Sequence, residues 1–259
     1  MILSKRVALG GVQLDEIHER IVVQSVDAGV PHEEIQAVNR MGGFGQRMTS
    51  QHWETLDVVV TYGIDVPKEN MALRRELLEA VNSWALRKGW LTVNFLPNRR
   101  MWVEKVILPS AGSLWDWTNS FSITFRSYGV PFWQDETATQ VTSQSITNGR
   151  VWIEVPGQFR TVANITFRNI SGMTIPNITV NAGGSAMALN GINLGGSETL
   201  TIDHTNDGLL RITAGSRNVY GCRAPASADD LYLEPGSRAI DISTTRAGRL
   251  TVAVFGRYA

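Results

Sequence analysis

The sequence predicts a mainly β protein of two domains: an N-terminal antiparallel β-sandwich or α+β domain with one packed helix, followed by a C-terminal β-sandwich. Three observations support this prediction. The chain has 259 residues, which is long for one domain and comfortable for two. Only residues 67–88 show a sustained helical period, and the later sequence alternates in short runs between glycine-bearing turns. The 43% hydrophobic share suffices for sizeable cores.

The domain boundary is predicted near residue 135, which gives domains at 1–134 and 135–259. Seven of the eight Trp residues lie at or before Trp133, and all four Lys residues lie at or before Lys105. The stretch 134–149 is polar and follows Pro131. Such a stretch favours a linker or an extended crossover between two domains.

The helix at 67–88 is the most strongly marked element of the first domain. Its apolar residues recur at steps of four, four and three and form one stripe: Leu73, Leu77, Val81 and Trp84. Asp65 is a candidate cap, Pro67 suits the first turn, and Gly89 is a typical left-handed stop. Such a stripe either covers the domain's own sheet, which is the commoner use, or docks a partner.

The remaining elements are predicted to be strands. In the first domain they lie at 17–26, 53–64, 90–96, 101–108 and 119–128. Their order around the helix argues against a repeated βαβ design. In the second domain eight short strands predict a two-sheet sandwich; they lie at 151–155, 164–169, 177–181, 186–189, 199–203, 209–213, 239–243 and 250–258.

Charge and cysteine content exclude several classes of protein. Residues 1–134 carry 14 charges of each sign and residues 135–259 carry 10 of each, so neither half has the basic excess typical of nucleic-acid binding. A single cysteine, Cys222, excludes an intramolecular disulfide framework and multi-cysteine metal sites. No segment resembles a signal peptide or a membrane span of ~20 apolar residues, which predicts synthesis in the cytoplasm without membrane insertion.

The sequence predicts no catalytic, cofactor-binding or metal site. None of the four histidines lies in an HExxH pattern. The pair Asp203-His204 either orients an imidazole or, as is far more common, belongs to a turn. The carboxylates of Glu104, Asp116 and Asp229-Asp230 are available for glycosidase-type pairing, but chance occurrence explains them fully.

Two short segments are candidates for contacts with other subunits or partners. The glycine-rich segment Gly42, Gly43, Phe44 and Gly45 lacks the context of a phosphate-binding loop and is typical of a hairpin tip whose aromatic residue anchors a neighbour. Trp115 and Trp117 form an aromatic cluster that either packs on the core and a subunit or stacks on sugar rings.

The order of these features resembles the distal tail proteins of long-tailed, non-contractile phages, known as Dit. In the first domain the resemblance rests on segments 21–24, 41–47, 56–60, 70–86, 90–95, 96–100, 121–125 and 128–133. In the second it rests on segments 195–203, 233–236, 239–242 and 250–258. No single segment is specific; their order across the whole chain carries the resemblance.

The resemblance implies an architectural role without enzymatic activity or cofactors. It implies a ring of six copies at the distal end of the tail tube, formed by the first domains, with DNA passing through the channel. The second domain would be a galectin-like sandwich that attaches tail-tip, tail-fibre or receptor-binding proteins, with the tube protein as a further partner. The alternative is a carbohydrate-binding protein that contributes to host recognition.

Overall fold

The computed structural model describes residues 5–39, 46–109 and 119–259. The chain divides into two compact units, Met1–Trp133 together with Ala259, and Gln134–Tyr258. Antiparallel strands dominate the described parts of both units, and one α-helix occurs among the described residues. The predicted mainly β class is therefore confirmed. The assignment of the first domain to ring formation and of the second to a galectin-like fold remain predictions.

The first unit contains two sheets and a separate two-stranded ribbon. The described strands are β1 (Val7–Leu9), β2 (Val12–Gln13), β3 (Ile21–Ala28), β4 (Glu33–Asn39), β5 (Gln46–Trp53), β6 (Leu56–Ile64), β7 (Gly89–Val93), β8 (Arg99–Val103), β9 (Lys105–Ile107) and β10 (Ser120–Ser127). The helix α1 (Met71–Ala85) lies between β6 and β7. One sheet contains the order β2-β1-β7-β8, the other has the order β3-β6-β10-β9, and β4 pairs with β5.

Helix α1 is shorter than the predicted 67–88 at both ends. The cap is Asn70, whose side-chain oxygen accepts a hydrogen bond from the Leu73 amide at 3.2 Å, so Asp65 is not the cap. A turn from Pro67 to Asn70 precedes the helix. Gly89 is not a left-handed stop either, because it begins β7 and the helix ends at Leu86 in the right-handed region.

The apolar stripe of α1 covers the unit's own sheet, as predicted. Leu77, Val81 and Trp84 are all buried. The Trp84 ring packs edge-on against Phe125 of β10, with the centroids 5.8 Å apart. Its Nε1 atom donates a hydrogen bond to the Val12 carbonyl at 2.9 Å, which satisfies the one polar group of this buried ring. Trp84 therefore ties the helix to strands of both sheets.

The strand predictions of the first domain need three corrections. The predicted strand 17–26 begins only at Ile21. The predicted strand 101–108 is two strands in different sheets, because β8 pairs with β7 while β9 pairs with β10. The β4–β5 ribbon was not predicted apart from its last residue, Trp53, because its polar sequence lacks a clear apolar alternation.

The second unit is built around two long strands. Its strands are β11 (Trp133–Asp135, which begins at the last residue of the first unit), β12 (Thr139–Val155), β13 (Thr161–Val162), β14 (Asn164–Asn169), β15 (Ile175–Ala182), β16 (Ser185–Leu194), β17 (Thr199–His204), β18 (Leu210–Ala214), β19 (Arg217–Asn218), β20 (Tyr232–Leu233), β21 (Gly236–Val254) and β22 (Arg257–Tyr258). The main sheet has the order β16-β15-β21-β14-β17-β18-β19, with β12 also paired to β21.

The sandwich consists of one sheet doubled over at β12 and β21. Residues 148–155 pair with 236–243, and this half extends through β15 to β16. Residues 139–143 pair with 250–254, and this half extends through β14 to β19. Register shifts separate the two halves, and the buried faces of both halves share one apolar cluster.

These long strands bear on two sequence predictions. The stretch 134–149, interpreted as a linker or an extended crossover, is extended, because most of it forms β11 and the first part of β12. The predicted strands 239–243 and 250–258 are largely one strand, β21, followed by the short β22. The polar side chains of β12 and β21 lie on the exposed face of a paired backbone. A polar composition is also typical of a loop, so composition alone does not distinguish the two.

One edge of the main sheet is covered by a loop. The Ala224 and Ala228 amides donate hydrogen bonds to the carbonyls of Ala188 and Ala186 on β16, each at 2.8 Å. The Ser227 hydroxyl oxygen also accepts from the Ala188 amide at 3.0 Å. The loop thus satisfies backbone groups that an edge strand would otherwise expose.

The bend requires glycine at position 248. A Cβ atom there would collide with the Cζ atom of Phe167, whose ring is fully buried. Phe167 is on β14, which pairs with β17 on one side and with β21 on the other. Because its ring is surrounded by packed core atoms, the ring has no free space into which it could shift.

We therefore expect Gly248→Ala to lower the free energy of unfolding by about 1–3 kcal/mol, the usual cost of overpacking a core. Urea unfolding followed by far-ultraviolet circular dichroism measures this change, because only one of the eight Trp residues, Trp152, lies in the second unit. Gly221→Ala is the matched control, because a Cβ atom at Gly221 meets nothing within 4 Å. The double variant Gly248→Ala with Phe167→Leu is expected to recover part of the loss; additive losses would contradict the contact.

Candidate functional site

All six residues that the sequence singled out for contacts lie outside the described part of the chain. They are Gly42, Gly43, Phe44, Gly45, Trp115 and Trp117. Their role in contacts remains a prediction. The strands on either side of the glycine-rich segment, β4 and β5, are described.

The β4–β5 ribbon is the clearest candidate for a contact with another molecule. Its strands are aligned from Glu33 opposite Trp53 to Asn39 opposite Gln46, and neither pairs with a further strand among the described residues. Ile35 on β4 is 55% exposed, and Val30 just before it is 71% exposed. A two-stranded ribbon with unpaired edges and exposed apolar residues is only marginally stable alone, so packing against a partner would stabilise it.

The root of the ribbon, residues 32–34 and 52–55, is held firmly to the first unit. The Trp53 ring packs edge-on against the buried Phe132, with centroids 5.6 Å apart. The His32 amide donates to the Thr55 carbonyl at 3.2 Å, and the Glu54 amide donates to the His32 carbonyl at 2.9 Å. The direction in which the ribbon leaves the unit is therefore set by packed and hydrogen-bonded groups.

The outer face of β7 and β8 presents a second aromatic group. Trp90 and Trp102 are directly opposite in the ladder, half-buried, and packed edge to face at 5.3 Å. The Arg100 guanidinium lies 4.0 Å from the centre of the Trp90 ring. Aromatic and arginine side chains of this kind are enriched at protein interfaces.

The second unit presents an exposed tryptophan on a polar face. Trp152 on β12 is 59% exposed and lies opposite the small Ala239. Two residues away, Arg150 forms a bidentate ion pair with Asp241 of β21, with Nε–Oδ1 and Nη2–Oδ2 distances of 2.7 and 3.0 Å. This pairing lowers the pKa of Asp241 through the hydrogen bonds from Arg150. This face of the unit therefore combines the exposed indole of Trp152 with an arginine and an aspartate whose charges offset each other.

Asp203 and His204, whose pairing was the less favoured interpretation of the sequence, bind different partners in the structure. Asp203 accepts two hydrogen bonds from Arg211, whereas the Nε2 atom of His204 lies 2.7 Å from Oδ1 of Asp230. The His204 side chain is 8% exposed, and its Nδ1 atom has no hydrogen-bond partner among the described residues. A nucleophile, imidazole and carboxylate in a line are therefore not seen in this part of the structure.

The hydrogen bond from His204 keeps the pKa of Asp230 below its usual value, and burial opposes this effect. The Tyr232 hydroxyl donates a further hydrogen bond to Oδ2 of Asp230 at 3.0 Å. Burial also lowers the pKa of the neighbouring Arg257 to about 10. The group is a partly buried polar network that joins β17 to β20.

The other candidate carboxylates are engaged in structural bonds where they are described. Glu104 accepts hydrogen bonds from the Tyr128 and Gly129 amides at 3.1 and 2.7 Å. Asp229 forms an ion pair with Arg223 at 3.1 Å. Asp116 lies outside the described residues. Glu104 thus holds a turn in place, and Asp229 takes part in an exposed ion pair.

Sequence reasoning missed two groupings that depend on strand register. Glu34 of β4 lies directly opposite His52 of β5, with Glu54 two residues further on. Trp152 stands beside the Arg150–Asp241 pair. The His-x-Glu spacing at 52–54 was a usable signal for the first grouping, since residues i and i+2 of a strand share a face.

No protein-family model and no curated protein matches the sequence. Among the described residues, no helix has both the length and the apolar character needed to cross a membrane. Structural comparison is informative where sequence comparison is not. The Dit protein of phage SPP1, described as a paradigm of the hub adsorption apparatus in phages infecting Gram-positive bacteria, aligns over 98% of this chain and 99% of its own, at 13% identity and a TM-score of 0.66.

The chain has the Dit fold. Two structures of the phage p2 baseplate in its activated conformation also align, one with strontium at 11% identity and a TM-score of 0.44, the other with calcium at 10% and 0.43. Each alignment covers 96% of this chain and 97% of the other. TM-scores this low add nothing to the assignment.

In this Dit-fold protein, Asp230→Asn is expected to lower the free energy of unfolding by about 2 kcal/mol at neutral pH, because a charged hydrogen bond is lost. A carboxyl whose pKa is lowered in the folded state stabilises it above the unfolded pKa of about 3.9, and this contribution is lost as the pH falls through the folded pKa. The difference between wild type and variant should therefore shrink below about pH 4.

Denaturant unfolding at a series of pH values measures this effect. Asp229→Asn is the matched control: it removes the adjacent carboxylate, whose side chain is 91% exposed, and an exposed ion pair such as the one with Arg223 contributes little to stability. A difference between wild type and Asp230→Asn that stays constant down to pH 2 would contradict the role of the His204–Asp230 pair.

Proposed function

We propose that the chain is a structural subunit of a siphophage tail, made in the host cytoplasm and located at the tail tip of the virion. The observation that carries the proposal is the likeness to the SPP1 Dit protein, which extends across nearly the whole of both chains. A match of this extent includes both units and their order along the chain. In this role the protein is a hub that joins the tail tube to the host-adsorption apparatus.

The subunit forms a ring of six copies through its first unit. The β4–β5 ribbon supports this assignment, because its unpaired edges and the exposed Ile35 and Val30 need a covering surface. A heterologous contact repeated around an axis covers each ribbon with the neighbouring copy and closes the ring. The segment Gly42–Gly45 at the end of the ribbon, with Phe44, then contacts that neighbour.

The second unit is a galectin-like platform for attached proteins, which are a tail-tip, tail-fibre or receptor-binding protein. The tail tube protein binds the ring. The balanced charge of both halves suits a channel through which DNA passes without specific binding. The role requires no catalysis and no cofactor, in keeping with the structural bonds of Glu104, Asp229 and Asp230.

The test is the mass of the purified protein, measured by size-exclusion chromatography with light scattering and by negative-stain imaging. We expect a ring of six 28.6 kDa chains, alone or together with a tail-tip partner. Single particles under both conditions would contradict the proposal.

Ile35→Glu is expected to shift the protein from rings towards monomers by at least about tenfold in association constant, because it places a charge in a buried contact. Leu209→Glu is the matched control, since Leu209 is 67% exposed but lies in the second unit. Deletion of Gly42–Gly45 should have the same effect as Ile35→Glu. An unchanged mass in both variants would show that the ribbon does not form the contact.

Carbohydrate binding is a second candidate function, favoured by the exposed Trp152 beside the Arg150–Asp241 pair. An indole face stacks on the C–H face of a pyranose, while the paired polar groups hydrogen-bond its hydroxyls.

If this face binds glycans, Trp152→Ala is expected to reduce affinity for host cell-wall polysaccharide about tenfold or more, as measured by calorimetry. Tyr220→Ala is the control, because Tyr220 is an exposed aromatic residue of the same unit. Failure of the wild-type protein to bind would eliminate this candidate and leave the ring proposal intact.

A further inference from the structure

Three potential metal ligands converge at the root of the β4–β5 ribbon. Glu34 and His52 are directly opposite in the ladder, with the His52 Nε2 atom 3.0 Å from Oε2 of Glu34. One ligand atom each from Glu34, His52 and Glu54 lies within 4.8 Å of the other two. An imidazole nitrogen and two carboxylate oxygens thus surround one small volume.

The strand geometry explains why these side chains meet. His52 and Glu54 flank Trp53, whose ring packs inwards on Phe132. Because successive side chains of a strand alternate between faces, His52 and Glu54 lie on the face opposite to Trp53. Directly opposed residues of an antiparallel pair have Cβ atoms about 5 Å apart, which brings in Glu34 from β4.

Backbone hydrogen bonds hold the chain where these ligands meet. The His32 amide donates to the Thr55 carbonyl at 3.2 Å, and the Glu54 amide donates to the His32 carbonyl at 2.9 Å. These bonds continue the antiparallel alignment of the ribbon beyond Glu33 and Trp53. The backbone that carries Glu54 is therefore fixed beside the segment that leads into β4.

Electrostatics favour a cation between the carboxylates. Glu34 and Glu54 are like charges within 4.8 Å of each other, and no Lys or Arg forms an ion pair with either among the described residues. His52 is the only recorded ion-pair partner of Glu34 in that part of the chain, and it is charged only when protonated. A divalent cation would offset both negative charges at once.

We propose that Glu34, His52 and Glu54 bind a divalent transition-metal ion of the Zn²⁺ class. Imidazole with carboxylates suits Zn²⁺, Co²⁺ or Ni²⁺, whereas Ca²⁺ and Mg²⁺ prefer oxygen ligands alone. Three protein ligands leave at least one position open for water. The ion links β4 to β5 beside the Trp53 anchor and stabilises the root of the ribbon.

The test uses the full chain without a polyhistidine tag, first stripped of metal with a chelator. Calorimetric titration with ZnCl₂ is expected to show one ion per chain, and CoCl₂ is expected to give visible ligand-field absorption. Glu34→Gln, His52→Asn and Glu54→Gln should each weaken Zn²⁺ binding by about tenfold or more. Loss of the Co²⁺ absorption in the same variants reports on the ligands directly.

Glu33→Gln is the matched control, because Glu33 is adjacent to Glu34 on the other face of the same strand. Circular dichroism and thermal unfolding of each metal-free variant separate lost binding from lost folding. Absence of Co²⁺ absorption at millimolar CoCl₂, or Zn²⁺ affinity that is equal in the wild type and all three ligand variants, would overturn the proposal. The result is independent of ring formation, so the two proposals fail separately.

Discussion

The close approach of the Phe167 ring to the backbone at Gly248 sets the architecture of the second unit. It occurs where β12 and β21 shift register, so that each long strand contributes to both halves of a doubled sheet. Both buried faces then share one core, and polar side chains such as Arg150 and Asp241 remain outside in pairs. Because this requirement concerns core positions, it leaves the surface residues free to vary. The shared fold at 13% identity between this chain and the SPP1 protein is consistent with such variation.

Sequence patterns predicted the features that depend on local periodicity. The stripe of α1, the mainly β class and the approximate positions of most strands follow from spacings within a few residues. The failures have a common physical cause. Strand β12 begins in polar sequence and is stabilised by a ladder to residues about a hundred positions later, which no local window contains. The helix start was placed too early because Asp65 and Pro67 fit the expected pattern, although the Asn70 side chain makes the capping bond.

The candidate sites were harder to predict for the same reason. The partner of His204 is Asp230, which lies on the loop before β20, and not the adjacent Asp203. Glu34 meets His52 only because the register of the ribbon aligns them. The sequence shows which residues could ionise or bind a metal. Which of them meet depends on how the strands are aligned. The exposed side chains of Ile35 and Val30 likewise indicate a contact surface only because the ribbon has no further strand among the described residues.

The loop that covers the edge of β16 has a practical consequence. Its backbone bonds to Ala186 and Ala188 occupy hydrogen-bonding groups that could otherwise recruit strands from other molecules. A protease cut between Ala224 and Ala228 would free this edge without removing any core residue. An uncovered strand edge pairs readily with strands of other molecules, so intact loops are a sensible purity criterion for any preparation kept at high concentration.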